Sequence, residues 1–115
     1  MIEVEAHGER VFASTGGRQF DPALPTAVLI HGSGNDHTIW ALQARSLAAR
    51  GRAVLAIDLP GHGRSGGNPL HRVEAMVEWL LAVLDAIGVG EVALAGHSLG
   101  AAVALFWASM YFYVP

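Results

Sequence analysis

Residues 91–105, Glu91-Val92-Ala93-Leu94-Ala95-Gly96-His97-Ser98-Leu99-Gly100-Ala101-Ala102-Val103-Ala104-Leu105, carry a short apolar run of strand type into an alanine-rich run of helix type through the turn Gly-His-Ser-Leu-Gly. The pattern G-x-S-x-G has its meaning in this setting, strand before and helix after, where it raises a serine hydroxyl at the head of a sharp turn. Such a turn holds its serine in a strained backbone conformation. Gly96 and Gly100, two positions away on either side, must then be nearly free of side chain so that strand and helix can approach each other. Ser98 is therefore the candidate nucleophile. Leu99 stands in the first turn of the following helix, where unpaired N–H groups and the positive end of the dipole favour an oxyanion. The bland alternative is a buried serine satisfied by helix backbone, which this setting disfavours.

Two further strand-type runs precede the elbow. Ala27 to Ile30 ends in His31-Gly32-Ser33-Gly34-Asn35-Asp36, and Asn35 or Asp36 can cap a helix with Trp40, Ala44, Leu47 and Ala48 on one face and Gly51 at its end. Ala53 to Ile57 opens into Asp58-Leu59-Pro60-Gly61-His62-Gly63-Arg64-Ser65-Gly66-Gly67, too rich in glycine for regular structure. Asn68 and Pro69 then read as cap and first helical position, and Val73, Met76, Val77, Leu80, Leu84 and Ile87 keep a 3.6-residue spacing up to Gly88. At the amino end, residues 2–6 and 9–14 read as two strands joined at His7-Gly8-Glu9, followed by a loop carrying Gly16, Gly17, Pro22 and Pro25. From Ala27 onward strand and helix alternate three times. That order predicts an α/β fold in three layers: a mostly parallel sheet of about five strands with three helices on its two faces.

Composition excludes several classes of function. The chain has 115 residues, enough for one domain with a real core. Its net charge of −3 and the absence of any Lys or Arg run exclude a nucleic-acid partner. With no cysteine, disulfides, thiolate zinc sites and cysteine nucleophiles are ruled out. Met1 to Glu5 carries acid where a signal peptide needs base, so a cytoplasmic location is the default. Between Val92 and Val114 no charged residue occurs, and hydropathy alone would flag a membrane span. The interruption at Gly96 to Gly100 argues for a buried strand and a helix instead, so a membrane is not an expected partner. No H-E-x-x-H is present and the histidines are dispersed, so no metal is expected. Gly61-x-Gly63-x-x-Gly66 matches a dinucleotide fingerprint only as a string: Pro60 separates it from its strand and the required acidic residue is missing, so no cofactor is expected. Oligomeric state is not encoded in any pattern of this chain.

Together, His31-Gly32-Ser33-Gly34, the loop Asp58 to Ser65, and Gly96-His97-Ser98-Leu99-Gly100 resemble the α/β-hydrolase family, from Ala27 to about Trp107. All three would leave strands at the carboxyl edge of a parallel sheet, where ligands bind. The resemblance implies the amino-terminal half of that fold and a serine hydrolase acting on a small-molecule ester or related acyl bond through an acyl-enzyme on Ser98. It implies an oxyanion hole made by the backbone N–H groups of Ser33 and Leu99, with His31, Gly32, Gly34, Gly96, His97 and Gly100 shaping the loops. His97 adjoins Ser98, yet neighbouring side chains at a tight turn point apart, so His97 is read as packing against the sheet. His31 and His62 are read as loop residues whose ring nitrogens tie backbone groups together.

In the family the order along the chain is Ser, then Asp or Glu, then His. Here no Asp, Glu or His follows Ser98. The expectation is thus a single truncated domain over residues 1–115, weakly active or inactive alone, with the strand at 92–95 left as an apolar edge. The aromatic, uncharged tail from Trp107 to Pro115 departs from the family pattern, as an altered reading frame would make it. The alternative is a non-catalytic fragment or binding module that retains only the elbow. An epoxide or haloalkane mechanism is disfavoured, since those families place Asp where Ser98 stands.

Overall fold

The computed structural model describes residues 1–111, with side chains through Ala108. Residues 112–115, the last four of the aromatic tail, lie outside the described residues. The strands are β1 Ile2–Ala6, β2 Glu9–Ser14, β3 Thr26–Ile30, β4 Ala53–Ile57 and β5 Val92–Gly96; the helices are α1 Ala41–Ala49, α2 Val73–Ile87 and α3 Leu99–Tyr111. One sheet takes all five strands in the order β1-β2-β4-β3-β5. β3 runs parallel to both β4 and β5, while β2 is antiparallel to β1 and to β4. The β1–β2 turn has both His7 (φ 51°) and Gly8 (φ 79°) in the left-handed region, the backbone that a two-residue hairpin turn requires.

Every residue of β3 and β4 is buried, which is why these strands read as continuous apolar runs rather than alternating ones. Val28, Ile30, Leu55 and Ile57 meet Met76, Val77, Leu80 and Val83 of α2 and Val103 of α3 on one face. On the other face Leu29, Val54 and Ala56 pack against Ala44 and Ala48 of α1. The three-layer α/β architecture is therefore the one expected.

Two local readings need correction. Asp36 does cap, its carboxylate accepting the Thr38 N–H at 2.9 Å, but what it starts is a 3₁₀ turn, His37–Trp40; α1 begins only at Ala41. Likewise α2 does not start at Asn68-Pro69. Its cap is Arg72, extended at φ −127° and without a side-chain cap bond, because the Pro69 ring is packed onto Gly61 and the chain is still crossing the glycine loop. At its far end Gly88, left-handed at φ 89°, closes α2 as the spacing predicts.

The connections place the site. From β3 the chain crosses through α1 to β4 on one side, then returns through α2 past β3 to β5 on the other. A reversal of this kind opens a crevice at the carboxyl ends of the strands. Ile30 pairs with Ile57 and with Gly96, so His31, Asp58 and His97 leave the sheet at one level. β5 pairs with β3 alone among the described residues and is only partly buried, the apolar edge expected of it. The opposite edge, β1, carries Glu3 and Glu5, charges of the kind that discourage edge pairing. Among the described residues no helix is long and apolar enough to cross a membrane; the uncharged run after Glu91 is split by the elbow into β5 and α3.

Candidate active site

Ser98 has φ 57°, and apart from His7 in the hairpin it is the only non-glycine residue among those described with a positive φ. The strain is enforced by its surroundings. A Cβ on Gly96 would collide with the Gly100 carbonyl and the Ala101 nitrogen, and one on Gly100 would collide with the Ile30 carbonyl. The His97 N–H donates to the Ile30 carbonyl at 3.0 Å, and the Gly100 and Ala101 N–H groups donate to the carbonyls of His97 (3.0 Å) and Ser98 (2.9 Å). The elbow is thus bolted to the end of β3 while the Ser98 side chain is left exposed.

Next to it, Gly32 to Asn35 form a β-turn closed by the Asn35 N–H on the Gly32 carbonyl at 3.1 Å, with Gly34 at φ 77° in the third position, the backbone of a type II turn. A Cβ on Gly32 would lie 3.2 Å from Ser98 Cβ and 3.3 Å from the His97 carbonyl, so this loop and the elbow are in contact. The N–H groups of Ser33 and Leu99 have no acceptor among the described residues. Both can therefore serve an incoming oxyanion.

Two histidines brace this loop. His31, fully buried, donates from Nδ1 to the Gly32 carbonyl at 2.6 Å and accepts the Leu59 N–H on Nε2 at 3.0 Å. His62 donates from Nδ1 to the Pro60 carbonyl at 2.9 Å and accepts the Gly34 N–H on Nε2 at 3.1 Å. The tautomers follow from these partners. Both rings tie backbone groups together as expected, with centroids 5.1 Å apart. Burial holds the pKa of His31 below the ordinary imidazole value of 6.5, and a second ring proton would also face the Leu59 N–H. The unfolded chain then binds the proton more readily than the folded one. His31's contribution to stability is complete above pH 6.5 and is lost as pH falls below it, with a slope of at most ~1.4 kcal/mol per pH unit. Urea denaturation at pH 7.5, 6.0 and 5.0 should show this loss, reduced in His31→Gln; equal slopes in the two proteins would remove the assignment.

Sequence reasoning missed the hub of the second loop. Asp58 is fully buried, and its carboxylate accepts the N–H groups of His37 (2.7 Å) and Arg64 (2.9 Å) and the His37 ring nitrogen Nδ1 (2.9 Å). A Cβ on Gly63 would strike that carboxylate. Ser65 donates to the Asp58 carbonyl at 2.6 Å and accepts the Phe12 N–H at 3.0 Å, while Arg64 lies over the Phe12 ring at 5.0 Å.

His37 looks like an oriented base, but it is not brought to Ser98. Its ring is held by Asp58 at the end of β4 and stands 4.9 Å from Phe12 on β2, with β3 lying between these strands and β5. The reading of His97 as packed against the sheet is corrected: the residue is exposed, and it is its main chain that engages β3. Ser33, Asn35, His97 and Ser98 thus form an open shelf at the sheet's carboxyl edge.

A family model described as the alpha/beta hydrolase fold matches residues 25–115. The chain is 45% identical over 80 residues to a dihydrolipoyllysine-residue acetyltransferase component of an acetoin cleaving system from Pseudomonas putida, covering 68% of this chain and 21% of that protein. It is 39% identical over 93 residues to a lipase of Mycobacterium tuberculosis, covering 80% of this chain and 35% of the lipase. Among solved structures, a bacterial membrane phospholipase A superimposes with a TM-score of 0.85 at 33% identity, over 96% of this chain and 35% of that one. The chain therefore spans between about a fifth and a third of the length of these relatives. Sheet order, elbow and family model agree over the same stretch of sequence, and on that agreement the chain belongs to the α/β-hydrolase family.

Proposed function

We propose that residues 1–115 make up the amino-terminal part of one serine-hydrolase domain, acting on a small-molecule ester or related acyl bond through an acyl-enzyme on Ser98. The observation that carries this reading is the strained, exposed serine at φ 57° beside two backbone N–H groups without acceptors, those of Ser33 and Leu99. Ser98 Oγ attacks the acyl carbon as its proton passes to a solvent base, the carbonyl oxygen becomes an oxyanion between the two N–H groups, and the leaving group departs, taking up a proton, as the carbonyl reforms. One such donor is worth on the order of 10²–10³ in rate. A lipase and a phospholipase among the relatives support acyl chemistry. Epoxide hydrolases are also among them, but a serine at the elbow favours an ester over an epoxide.

A serine hydroxyl needs a base, and none follows Ser98 in these residues. Oxyanion hole and binding alone leave about 10³–10⁴-fold over water, so this chain by itself acylates slowly. Incubation with an alkyl fluorophosphonate, read by intact mass, should give slow single labelling at Ser98 that Ser98→Ala abolishes. Labelling as fast as that of a complete serine hydrolase would refute the impairment. No labelling above Ser98→Ala would favour the non-catalytic binding module.

A further inference from the structure

Beside Ser98 stands a carboxamide that neither the elbow nor the histidine brace uses. Asn35 Oδ1 lies 3.0 Å from the point that a Cβ on Gly32 would occupy, and Ser98 Cβ lies 3.2 Å from the same point. Glycine at position 32 is what lets both groups into that space. The two are within about 6 Å of each other, the reach of a serine-bound oxyanion plus one hydrogen bond of ~2.9 Å. The Asn35 side chain has no hydrogen-bond partner among the described residues, whereas its backbone is fixed by the turn bond to Gly32. The neighbouring carboxylate of Asp36 is turned away, accepting from the Thr38 N–H and hydroxyl. No anion therefore competes for the carboxamide. Half a turn about χ2 exchanges Oδ1 and Nδ2 without moving the group.

We propose that Asn35 is a third oxyanion donor: its Nδ2–H donates to the oxygen that becomes negative when Ser98 attacks, alongside the N–H groups of Ser33 and Leu99. The inference rests on the reading of Ser98 as nucleophile. A side-chain donor at this place adds to the backbone pair a contact that a serine elbow alone does not supply, and its neutrality matters. An aspartate of the same shape would repel the oxyanion.

The test is the rate at which a neutral alkyl fluorophosphonate modifies the wild-type chain, Asn35→Leu, Asn35→Asp and Ser98→Ala, read by intact mass. In that step the Oγ–P bond forms as the P–F bond breaks, fluoride leaves, the serine proton passes to buffer base, and the phosphoryl oxygen takes the oxyanion's place. Asn35→Leu is expected to label about tenfold more slowly, and Asn35→Asp more slowly still, with thermal midpoints unchanged because the side chain is exposed and unbonded. Rates for both variants within twofold of wild type would overturn the assignment of Asn35 while leaving Ser98 in place. A wild-type chain that labels no faster than Ser98→Ala would overturn both.

Discussion

Gly96→Ala is expected to abolish folding of this chain. The added methyl would sit on the Gly100 carbonyl and the Ala101 nitrogen, both backbone, so no side chain can rotate away to admit it. Relief requires α3 to separate from β5, which breaks the bond from the His97 N–H to Ile30 and exposes Val103, a residue with no accessible surface. A clash of this kind belongs with the rare substitutions that cost more than ~4 kcal/mol. A small domain has only about 5–15 kcal/mol of stability in all. Far-UV circular dichroism and urea denaturation should show no cooperative transition. Gly90→Ala is the control: that glycine has nothing within 4 Å and no left-handed φ, so its midpoint should barely move. A Gly96→Ala protein melting beside the control would remove the elbow packing described above.

Asp58→Ala is expected to cost about 2–5 kcal/mol, since each donor left without its acceptor costs about 1–3 kcal/mol. Two backbone N–H groups, those of His37 and Arg64, lose their acceptor, and the His37 ring loses its partner. The loss should also loosen the loop that carries His62, and with it the bond from the Gly34 N–H that shapes the turn beside Ser98. The check is the urea midpoint together with amide exchange at Arg64 and Gly34. Asp85→Ala on the exposed side of α2 should stay within ~0.5 kcal/mol of wild type, and a similar small effect for Asp58 would dissolve its role as a hub.

Both expectations concern residues whose importance differs in how it could be read. Gly96 was legible from sequence because the constraint is local: a serine turn needs small neighbours within two positions. Asp58 was not, since its partners lie at positions 37 and 64 and nothing near it in the chain announces them. The same division explains the two misplaced helix starts. Asn68-Pro69 has the chemistry of a helix cap, but Pro69 is held by Gly61, a contact made only once the glycine loop has folded back. Asp36 caps as its chemistry requires, and the tighter 3₁₀ geometry of the turn that follows is set by His37, whose N–H and ring are both drawn to Asp58. Asn35 was read only as a candidate helix cap for a similar reason. As a turn residue it needs no further explanation, and only the fold sets its side chain across Gly32 from Ser98.

By itself the sequence determined the five strands, the three helices up to their starting residues, and the sharp turn that carries Ser98. Apolar runs of strand length, helical spacing before Gly88 and glycines flanking Ser98 act over a few residues, where sterics and backbone geometry decide. Only the tertiary structure decided the strand order β1-β2-β4-β3-β5 and the register that sets Ile30 level with Ile57 and Gly96. It also decided which hydrogen bonds His31, His62 and Asp58 make. These are contacts between residues far apart in the chain, selected by the joint burial of two sheet faces, and no local pattern carries them.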